Sequence, residues 1–543
     1  MSTATSMASP LDPVETTTAA ERINQYKPPL WRLPPALWLA LGCMAVIRFT
    51  LMLGTGPIHD EAYYWTWSQR LDYGYYDQPF LVGWLLWPFV SLLGDQAWVL
   101  RLASGGLTLL TSAFLARLAL DLSAASHTVS TADDGQLKQA TNGLLFLFIT
   151  SPGLWGLGLF YVHDTVMMTC LSLGLLLGTR AVQQGSMALW LVTGLALGLA
   201  FSAKVSAALW IAAFGLALLI SPSGRAQLTR PGPWISALFV LAAVALFVVW
   251  NANHGWVTFR HVSTEHLTAE PDRLGDRLGR FGLVAIGVAV LAGPGALVLF
   301  RIPGWPAPVK PGKRPDYQRI ERLGITLFIA LPLLFIFGLS LARDVLLNWL
   351  LPSTLVLTAV AASRWPGAGP AWLKGAGRTL SVTTGAVLCL LLLIPLAMRE
   401  PRWMLENARD LYGWRSAIAD LQAYRDAVYP GHSIVGHYYL LASQLAFHQN
   451  HVRPSVGTDP RPHQLRLFAD PNDATRTAQA TPLLVLAADA ASGRAALQDA
   501  YCSLRPLGPW PVTHGAVTID TPYLFRVDRP RRADGLCPSA QSK

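Results

Sequence analysis

The sequence predicts a polytopic α-helical membrane protein that carries a small α/β domain at its C-terminal end. The chain of 543 residues is 52% hydrophobic but only 14% charged, whereas soluble proteins are about a quarter charged. Its mean hydropathy is +0.36. Apolar runs long enough to span a bilayer, which takes roughly 20 residues, recur up to residue 398, and the part beyond is more polar.

About eleven of these runs are predicted to cross the membrane. A further apolar stretch, Phe80 to Leu93, is shorter and contains Pro88, so we expect it to lie in the interface or to re-enter. The predicted spans are 36–53, 98–122, 140–160, 163–182, 187–202, 204–220, 233–250, 281–300, 323–341, 345–363 and 378–398.

Loop charges predict the orientation of the chain. With Phe80–Leu93 in the interface and the N-terminus inside, the inner segments hold 16 Lys and Arg residues and the outer loops hold seven. If Phe80–Leu93 crossed, the strongly basic loop 301–322 would face outward, against the positive-inside rule. We therefore expect a multi-pass membrane protein whose N-terminus lies inside and whose C-terminus lies outside. Because the net charge of +10 follows from these loops and no nucleic-acid motif is present, nucleic acid is not an expected partner.

Three regions follow from this organisation. Residues 1–35 form a cytoplasmic N-terminus, disordered over 1–21, and residues 36–398 form the membrane domain, with a first outer loop at 54–97. Residues 399–543 form the outer α/β domain. Its sequence predicts a helix in 413–429, a strand and then a helix in 432–449, and strands in 481–490 and 515–529.

The five cysteines show no metal-type spacing. Cys502 and Cys537 both lie in the outer domain, and an oxidising compartment permits a disulfide between them. The sequence leaves that pairing open.

The first outer loop combines acidic and aromatic residues. Asp60, Glu61 and Asp77 lie among eight aromatic side chains between His59 and Phe80. The predicted topology brings other polar residues to the same face of the membrane, so residues far apart in sequence are expected to share one cavity. These are His163, Asp164, Lys204, the loop 251–280, Arg343, Asp344 and the C-terminal domain.

Several ordered motifs in residues 35–470 resemble the GT-C glycosyltransferases. The resemblance is greatest to the glycosyltransferase 39 group, the bacterial relatives of protein O-mannosyltransferases and the lipid A aminoarabinose transferase. The motifs are HDEAYYW, YYDQPFLVGWL, GDQAWVLRLAS, FYVHDTVMM, GLAFSAKVSAALW, NANHGWVTFRHVSTEH, LLNWLLPS and YLLASQLAFH.

The resemblance implies a GT-C fold and a polyprenyl-phosphate sugar as donor. It implies transfer at the outer face, with inversion at the anomeric carbon, to a hydroxyl of a lipid, glycan or protein acceptor. The chain departs from the group at Gln78-Pro79-Phe80, where many relatives have His-Pro-Pro, and it lacks the Lys-Pro of the aminoarabinose transferases. The resemblance therefore does not carry lipid A over as the acceptor.

Asp60 is the predicted catalytic base, because the first acid of the group's Asp-Glu pair has that role. Inverting transfer needs one base that takes the proton of the acceptor nucleophile. We assign Glu61 as an orienting, hydrogen-bonding partner of Asp60. The alternative is that Asp60 is the N-cap of a helix beside the membrane, with Glu61 after it.

Three cations are predicted to hold the donor phosphate: Lys204, Arg343 and Arg260. Fixed cations stabilise the negative charge that grows on a leaving phosphate, and an arginine fork suits phosphate geometry. For Lys204 the alternative is snorkelling to the interface. Arg343 has Asp344 beside it as a simple ion-pair partner.

The remaining predicted cavity residues are Asp77, Asp164, His163, His261 and Tyr64. Asp77 has a turn-forming role as its alternative, and Asp164 an N-cap role. No cofactor is predicted. A divalent cation is left open, because His261, Glu265 and His266 permit a metal site.

Two other function classes fit the same polytopic pattern. One is a transporter or flippase of lipid-linked sugars, which also needs charges within the membrane. The sequence shows no internal repeat of the kind that transporters often carry. The other is a non-catalytic subunit of an envelope assembly machine, and the acids at positions 60 and 164 argue against it.

Overall fold

The computed structural model of the protein describes most of the membrane and C-terminal regions. The predicted disorder of 1–21, the basic loop 301–316 and the domain boundary at 399 lie outside the described residues. The described ranges are 31–125, 134–263, 273–293, 317–363, 371–397, 409–452, 463–468 and 482–531, with Pro29, Ala296 and Cys537.

In the described residues up to 397 the regular elements are helices, besides one isolated bridge between Gly74 and Pro79. Two short 3-10 turns, Val205–Ala207 and Leu347–Leu350, lie between the α-helices. The helices are α1 Pro35–Met52, α2 His59–Gln69, α3 Leu81–Leu93, α4 Ala97–Ala125, α5 Asp134–Ile149, α6 Pro152–Gly156, α7 His163–Gln184, α8 Met187–Ala203, α9 Ala208–Ile220, α10 Pro222–Leu228, α11 Pro231–Asn253, α12 Val257–Val262, α13 Leu274–Ala292, α14 Tyr317–Ser340, α15 Leu351–Ser363 and α16 Ala371–Ala397.

Several of these helices can cross a membrane. Within the described residues, five are long and apolar enough by themselves: α1, α4, α7, α11 and the part of α14 from Arg322. A sixth crossing results if the segment 205–220 and α10, bent by 101°, form one span. The predicted count of eleven therefore stays a prediction. Helix α3 has 13 residues and is about 20 Å long, short of a core of about 30 Å.

Helix α7 lies in the middle of the bundle and is buried along most of its length. Helices α4 and α8 pack on it, and α11 packs on α8. Gly194 of α8 lets the α11 backbone approach, because a Cβ there would lie 2.4 Å from the Ser236 Cα. Small residues allow such close helix packing in membranes.

The predicted span 140–160 is wrong as one continuous helix. Helix α5 ends at Ile149, and Ser151 caps the short α6, with its Oγ accepting from the Leu154 N–H at 3.3 Å. Pro152 occupies the first position of α6, where proline is favoured but cannot continue a preceding helix. The next long helix begins only at His163.

The C-terminal unit is a small α/β fold, as predicted. Strands β1 (Ser433–Gly436), β2 (Leu483–Ala487), β6 (Tyr523–Pro530) and β3 (Tyr501–Pro509) form one sheet in that order. The β1–β2 pair is parallel and the other pairs are antiparallel. All five residues of β2 are buried, as its apolar sequence indicates. The elements are α17 Trp414–Val428, β1 Ser433–Gly436, α18 Tyr439–Gln449, α19 Gln464–Leu467, β2 Leu483–Ala487, α20 Ala490–Gln498, β3 Tyr501–Pro509, β4 Val512–His514, β5 Val517–Asp520 and β6 Tyr523–Pro530.

A disulfide joins Cys502 to Cys537, which resolves the pairing that the sequence left open. It ties β3 to the chain after β6, across a separation of 35 residues. The bridge limits the freedom of this end of the unfolded chain.

The C-terminal unit packs on the loop 54–97 and its helices. The Gln444 side-chain amide donates to the Pro57 carbonyl at 2.9 Å, and Arg70 donates to the Phe468 carbonyl at 2.9 Å. The Trp65 and Phe447 rings meet edge to face, with centroids 5.3 Å apart. The fold class is thus confirmed: a helical membrane domain that carries a small α/β unit.

Candidate functional site

Glu61, and not Asp60, caps helix α2. The residue at the N-cap is Ile58, whose backbone N–H donates to Glu61 Oε2 at 3.1 Å. Asp60 is the second residue of the helix and is half-buried. The N-cap alternative for Asp60 is therefore wrong, because the carboxylate three residues after the cap makes that bond, as in a capping box.

Glu61 is fully buried and closely bound. It forms an ion pair with Arg101, and Oε1 accepts from the Tyr161 N–H at 2.7 Å. Burial raises the pKa of Glu61, while the Arg101 charge and the backbone hydrogen bonds oppose that shift. Arg101 also donates to the carbonyls of Leu159 and Gly56, each at 3.1 Å. These contacts fix the start of the helix that presents Asp60, which is a positioning role.

Three carboxylates lie around one buried phenol. The Tyr64 hydroxyl is hydrogen-bonded to His163 Nδ1, and the rings meet edge to face with centroids 5.4 Å apart. Burial raises the pKa of Tyr64 well above its usual value, and the charges of Asp60, Asp77 and Asp164 raise it further. The structure thus brings together acids from three separate segments, and the phenol stays neutral between them.

Asp164 and Lys204 form a buried ion pair. Lys204 Nζ lies 2.7 Å from Asp164 Oδ1, the Asn348 side-chain amide donates to Oδ2 at 2.7 Å, and His163 Nε2 lies 3.3 Å from Oδ2. The N-cap of α7 is Val162, so the capping alternative for Asp164 is wrong. Lys204 is 5% exposed and does not snorkel, because its buried partner compensates the charge.

The loop that holds Asp77 meets both the membrane helices and the C-terminal unit. The Tyr63 hydroxyl is hydrogen-bonded to Asp77 and accepts from the Gln464 N–H at 2.8 Å. Gln78, at the position where many relatives carry His, accepts from the Val205 N–H at 3.1 Å. Its amide therefore ties this loop to the turn after Lys204.

The loop 251–280 reaches the site through α12. His261 is buried, with its ring centroid 5.4 Å from that of Tyr76, and Thr258 donates to the Tyr75 carbonyl at 3.4 Å. Arg260 is exposed. Glu265 and His266, which complete the conceivable metal site, lie outside the described residues.

Arg343 lies in the turn between α14 and α15. Its Nε is 3.5 Å from the Asp344 carbonyl oxygen, and the Asp344 carboxylate lies 4.0 Å from Arg280 Nε. The simple Arg343–Asp344 ion pair is therefore wrong, since the carboxylate turns to α13. The phosphate-binding roles of Arg343, Arg260 and Lys204 stay predictions.

Sequence reasoning missed Asn348 and Arg101 as parts of this arrangement. Asn348 is an amide in an apolar run, and polar residues at membrane depth mark functional sites; that signal was available. Arg101 also lies in an apolar run, four residues into α4. Gln464 carries no comparable signal, because its partners come from the opposite end of the chain.

Comparison with known proteins agrees with the fold. Residues 77–250 match the family model described as dolichyl-phosphate-mannose-protein mannosyltransferase. Over 230 residues the chain is 30% identical to the lipid A galacturonosyltransferase RgtD of Rhizobium johnstonii, a match that covers 40% of this chain and 45% of that protein. The chain thus spans about half the length of this curated relative.

Two solved structures share the fold of this chain. ArnT from Cupriavidus metallidurans bound to undecaprenyl phosphate has a TM-score of 0.57 and 13% identity, over 90% of this chain and 97% of that one. Its apo state has a TM-score of 0.56 with the same identity and coverage. At this identity the likeness shows the fold. The family model, the curated relative and the solved structures are all membrane glycosyltransferases or their fold relatives, and the chain is similar to them in the GT-C fold.

Proposed function

We propose that the protein is a membrane glycosyltransferase of the bacterial inner membrane that uses a polyprenyl-phosphate-linked sugar. The observation that carries this proposal is a chain of contacts: Tyr64 is hydrogen-bonded to His163, His163 Nε2 lies 3.3 Å from Asp164 Oδ2, and Lys204 Nζ lies 2.7 Å from Asp164 Oδ1. Asp60 lies one helical turn before Tyr64 on α2. The solved neighbour that binds undecaprenyl phosphate supports a lipid-linked donor. The relative that acts on lipid A supports a lipid acceptor.

Asp60 is the proposed base. Its carboxylate takes the proton of an acceptor hydroxyl while that oxygen attacks the sugar C1. The C1–O bond to the phosphate breaks with inversion, and the phosphate leaves with the bonding electron pair. Asp60 lies half-buried in the first turn of α2, and Glu61 holds that turn in place. A fixed helix terminus suits a base that must be positioned to within a hydrogen bond.

The Lys204–Asp164 pair is the proposed electrostatic partner of the leaving phosphate. A phosphate that gains charge competes with Asp164 for the ammonium group, and Asn348 and His163 keep Asp164 hydrogen-bonded meanwhile. Preorganised charges of this kind act mainly in the transition state. Arg343 and Arg260 are proposed to close around the same phosphate.

The proposed orientation places this site and the C-terminal unit in the periplasm. The Cys502–Cys537 disulfide supports that side, because structural disulfides persist in oxidising compartments.

Transfer activity of the purified protein tests the proposal. Wild-type protein is incubated in detergent with a polyprenyl-phosphate sugar and lipid A, and the glycosylated lipid is measured by mass spectrometry. Asp60→Asn is expected to fold and to lose at least about 100-fold in rate, the typical contribution of a general base. Asp95→Asn is the matched control, because its Oδ1, which accepts from Trp65 Nε1 at 2.7 Å, is retained. Full activity of Asp60→Asn would refute the role of the base.

A further inference from the structure

A cavity of about 240 Å³ lies between the first outer loop and the C-terminal unit. One wall consists of residues 53–57 and 96–98, and the other consists of residues 411–415, 447–448 and His514. The residues of the Tyr64 cluster do not line it. Since both structural units contribute walls, the cavity exists only while they are docked.

The fixed charge in the lining is positive and comes from Arg415. Among the described residues that line the cavity there is no Asp or Glu, while Arg415, His448 and His514 all line it. Arg415 is exposed and donates to Gln96 Oε1 at 3.0 Å, which uses one of the five N–H donors of a guanidinium. In the described part of the chain, the buried His448 Nε2 has no hydrogen-bond partner. Such a lining suits an anion.

Aromatic rings form much of the remaining wall. Trp98 is 39% exposed, and the Tyr412 and His514 rings have centroids 5.0 Å apart. Aromatic faces offer apolar contact beside a polar tip, and the C–H face of a sugar ring packs on such surfaces. A basic group beside aromatic rings therefore fits a sugar that carries a negative charge.

The cavity is held open by contacts on both sides. The Gly56 N–H donates to the Leu411 carbonyl at 2.8 Å, and His59 Nε2 lies 2.8 Å from Asp410 Oδ1. Gly413 has φ +75°, and a Cβ there would lie 2.6 Å from the Thr513 carbonyl oxygen, so this close approach needs glycine. A preorganised site pays less to order its ligand.

The position of the cavity indicates where a ligand comes from. Leu53 follows the last residue of α1, and Ala97 is the first residue of α4, so the cavity opens at one membrane end of two spanning helices. A lipid headgroup reaches this level without leaving the bilayer. His59 precedes Asp60, and its ring centroid lies 5.8 Å from that of Trp414 in the cavity wall. A bound headgroup would therefore lie beside the helix that presents Asp60.

We propose that this cavity binds the phosphate-bearing saccharide headgroup of a membrane lipid and so anchors the acceptor next to the transfer site. The acceptor role rests on the proposed function, whereas the binding itself does not. Arg415 holds the phosphate with its fork, and Trp98 packs on the sugar ring. A volume below the usual range of about 300–1,000 Å³ for ligand pockets limits the contact to about one sugar with its phosphate.

Binding of full-length protein in detergent tests this proposal without any donor. The probes are lipid A with both phosphates, the same lipid after enzymatic dephosphorylation, and phosphatidylglycerol, with affinities measured by microscale thermophoresis. Wild type is expected to prefer the phosphorylated lipid A at least about tenfold over both other lipids, and Arg415→Gln to lose about tenfold, since a charge-assisted hydrogen bond is removed. Arg425→Gln on the same helix is the matched control, since its described partner is the neighbouring Asp426.

The outcomes separate the explanations. Equal affinity for the phosphorylated and dephosphorylated lipids overturns the proposal, as does equal loss in Arg415→Gln and Arg425→Gln. Equal affinity for phosphatidylglycerol overturns the saccharide part. Should Arg415→Gln fail to fold, Trp98→Leu replaces it, with the same expected loss for phosphorylated lipid A and unchanged phosphatidylglycerol binding. Asp60→Asn is expected to bind like wild type, so lost transfer with retained binding separates this inference from the proposed reaction.

Discussion

Lys204 Nζ lies 2.7 Å from Asp164 Oδ1 inside the helical bundle, although 40 residues separate them in the chain. Lys204 follows the last residue of α8 and Asp164 lies in the first turn of α7, so the pair joins the ends of two helices. Both are at most 5% exposed. Removing two charges from water carries a large desolvation free energy, and removing only one partner leaves the other charge buried without compensation.

Breaking this pair from one side is expected to destabilise the protein. Lys204→Met leaves the Asp164 carboxylate buried and unpaired, at a cost of about 3–5 kcal/mol. The double variant Lys204→Met with Asp164→Asn restores much of that stability but not transfer, if the ammonium serves the phosphate. Thermal unfolding in detergent and transfer rates measure both effects. A double variant with wild-type transfer would refute the phosphate role.

Glu61 is expected to act through position and not through chemistry. Glu61→Ala leaves Arg101 buried without its partner and removes the cap of α2, so stability should fall by about 3–5 kcal/mol. Glu61→Gln keeps an acceptor for the Ile58 and Tyr161 N–H groups and should fold better. Glu61→Gln is therefore expected to be both more stable and more active than Glu61→Ala. Thermal unfolding measures the stability, and initial rates measure the transfer. Folded Glu61→Gln with no transfer at all would indicate a direct catalytic role.

Tyr64→Phe tests the contact with His163. Because the pKa of Tyr64 is raised, its hydroxyl stays protonated and serves only to hold the His163 ring. Its removal should leave the fold intact and reduce transfer about tenfold, the worth of one hydrogen bond of about 1.4 kcal/mol. Rates measured from pH 6 to pH 9 should fall by the same factor throughout. A loss that grows with pH would instead assign the phenol a proton-transfer role.

His448 is expected to make the C-terminal unit sensitive to acid. Burial lowers the pKa of His448 to about 4, and the Arg415 charge lowers it further. In the unfolded chain the histidine pKa is about 6.5. Between about pH 4 and about pH 6.5 the unfolded state therefore binds more protons than the folded state. The free energy of unfolding falls as the pH drops through this range. The loss approaches about 3 kcal/mol at its end, because each tenfold change in proton affinity corresponds to about 1.4 kcal/mol. Melting of wild type and His448→Gln across this range should show a shallower loss in the variant.

The disulfide offers a test of orientation in cells. Cys502 and Cys537 should resist a membrane-impermeant maleimide in intact spheroplasts and accept it after mild reduction, if both face the periplasm. A variant with Cys502→Ser should expose Cys537 to the reagent without reduction and lower the stability of the C-terminal unit by about 3–4 kcal/mol, as loops of this length suggest. Labelling only after the membrane is opened would contradict the proposed topology.

The C-terminal sheet shows which strands can be predicted from the local sequence pattern. The strand in 481–490, the strands in 515–529 and the helix–strand–helix order before them were predicted, because alternation and apolar runs are properties of neighbouring residues. The strand Tyr501–Pro509 was not predicted. It contains Arg505, Pro506 and Gly508 and exists through its pairing with β6, which no local pattern reports.

The sequence by itself determined the helical membrane architecture, the small α/β unit and the acid-aromatic composition of the first loop, because hydropathy and periodicity act over a few residues. Only the tertiary structure decided that Glu61 and not Asp60 caps its helix, that Asp164 takes both Lys204 and Asn348, and that a basic cavity forms between the two units. Asn348 reaches Asp164 across 184 residues. Contacts of that kind depend on how helix ends pack in three dimensions, which no stretch of sequence encodes alone.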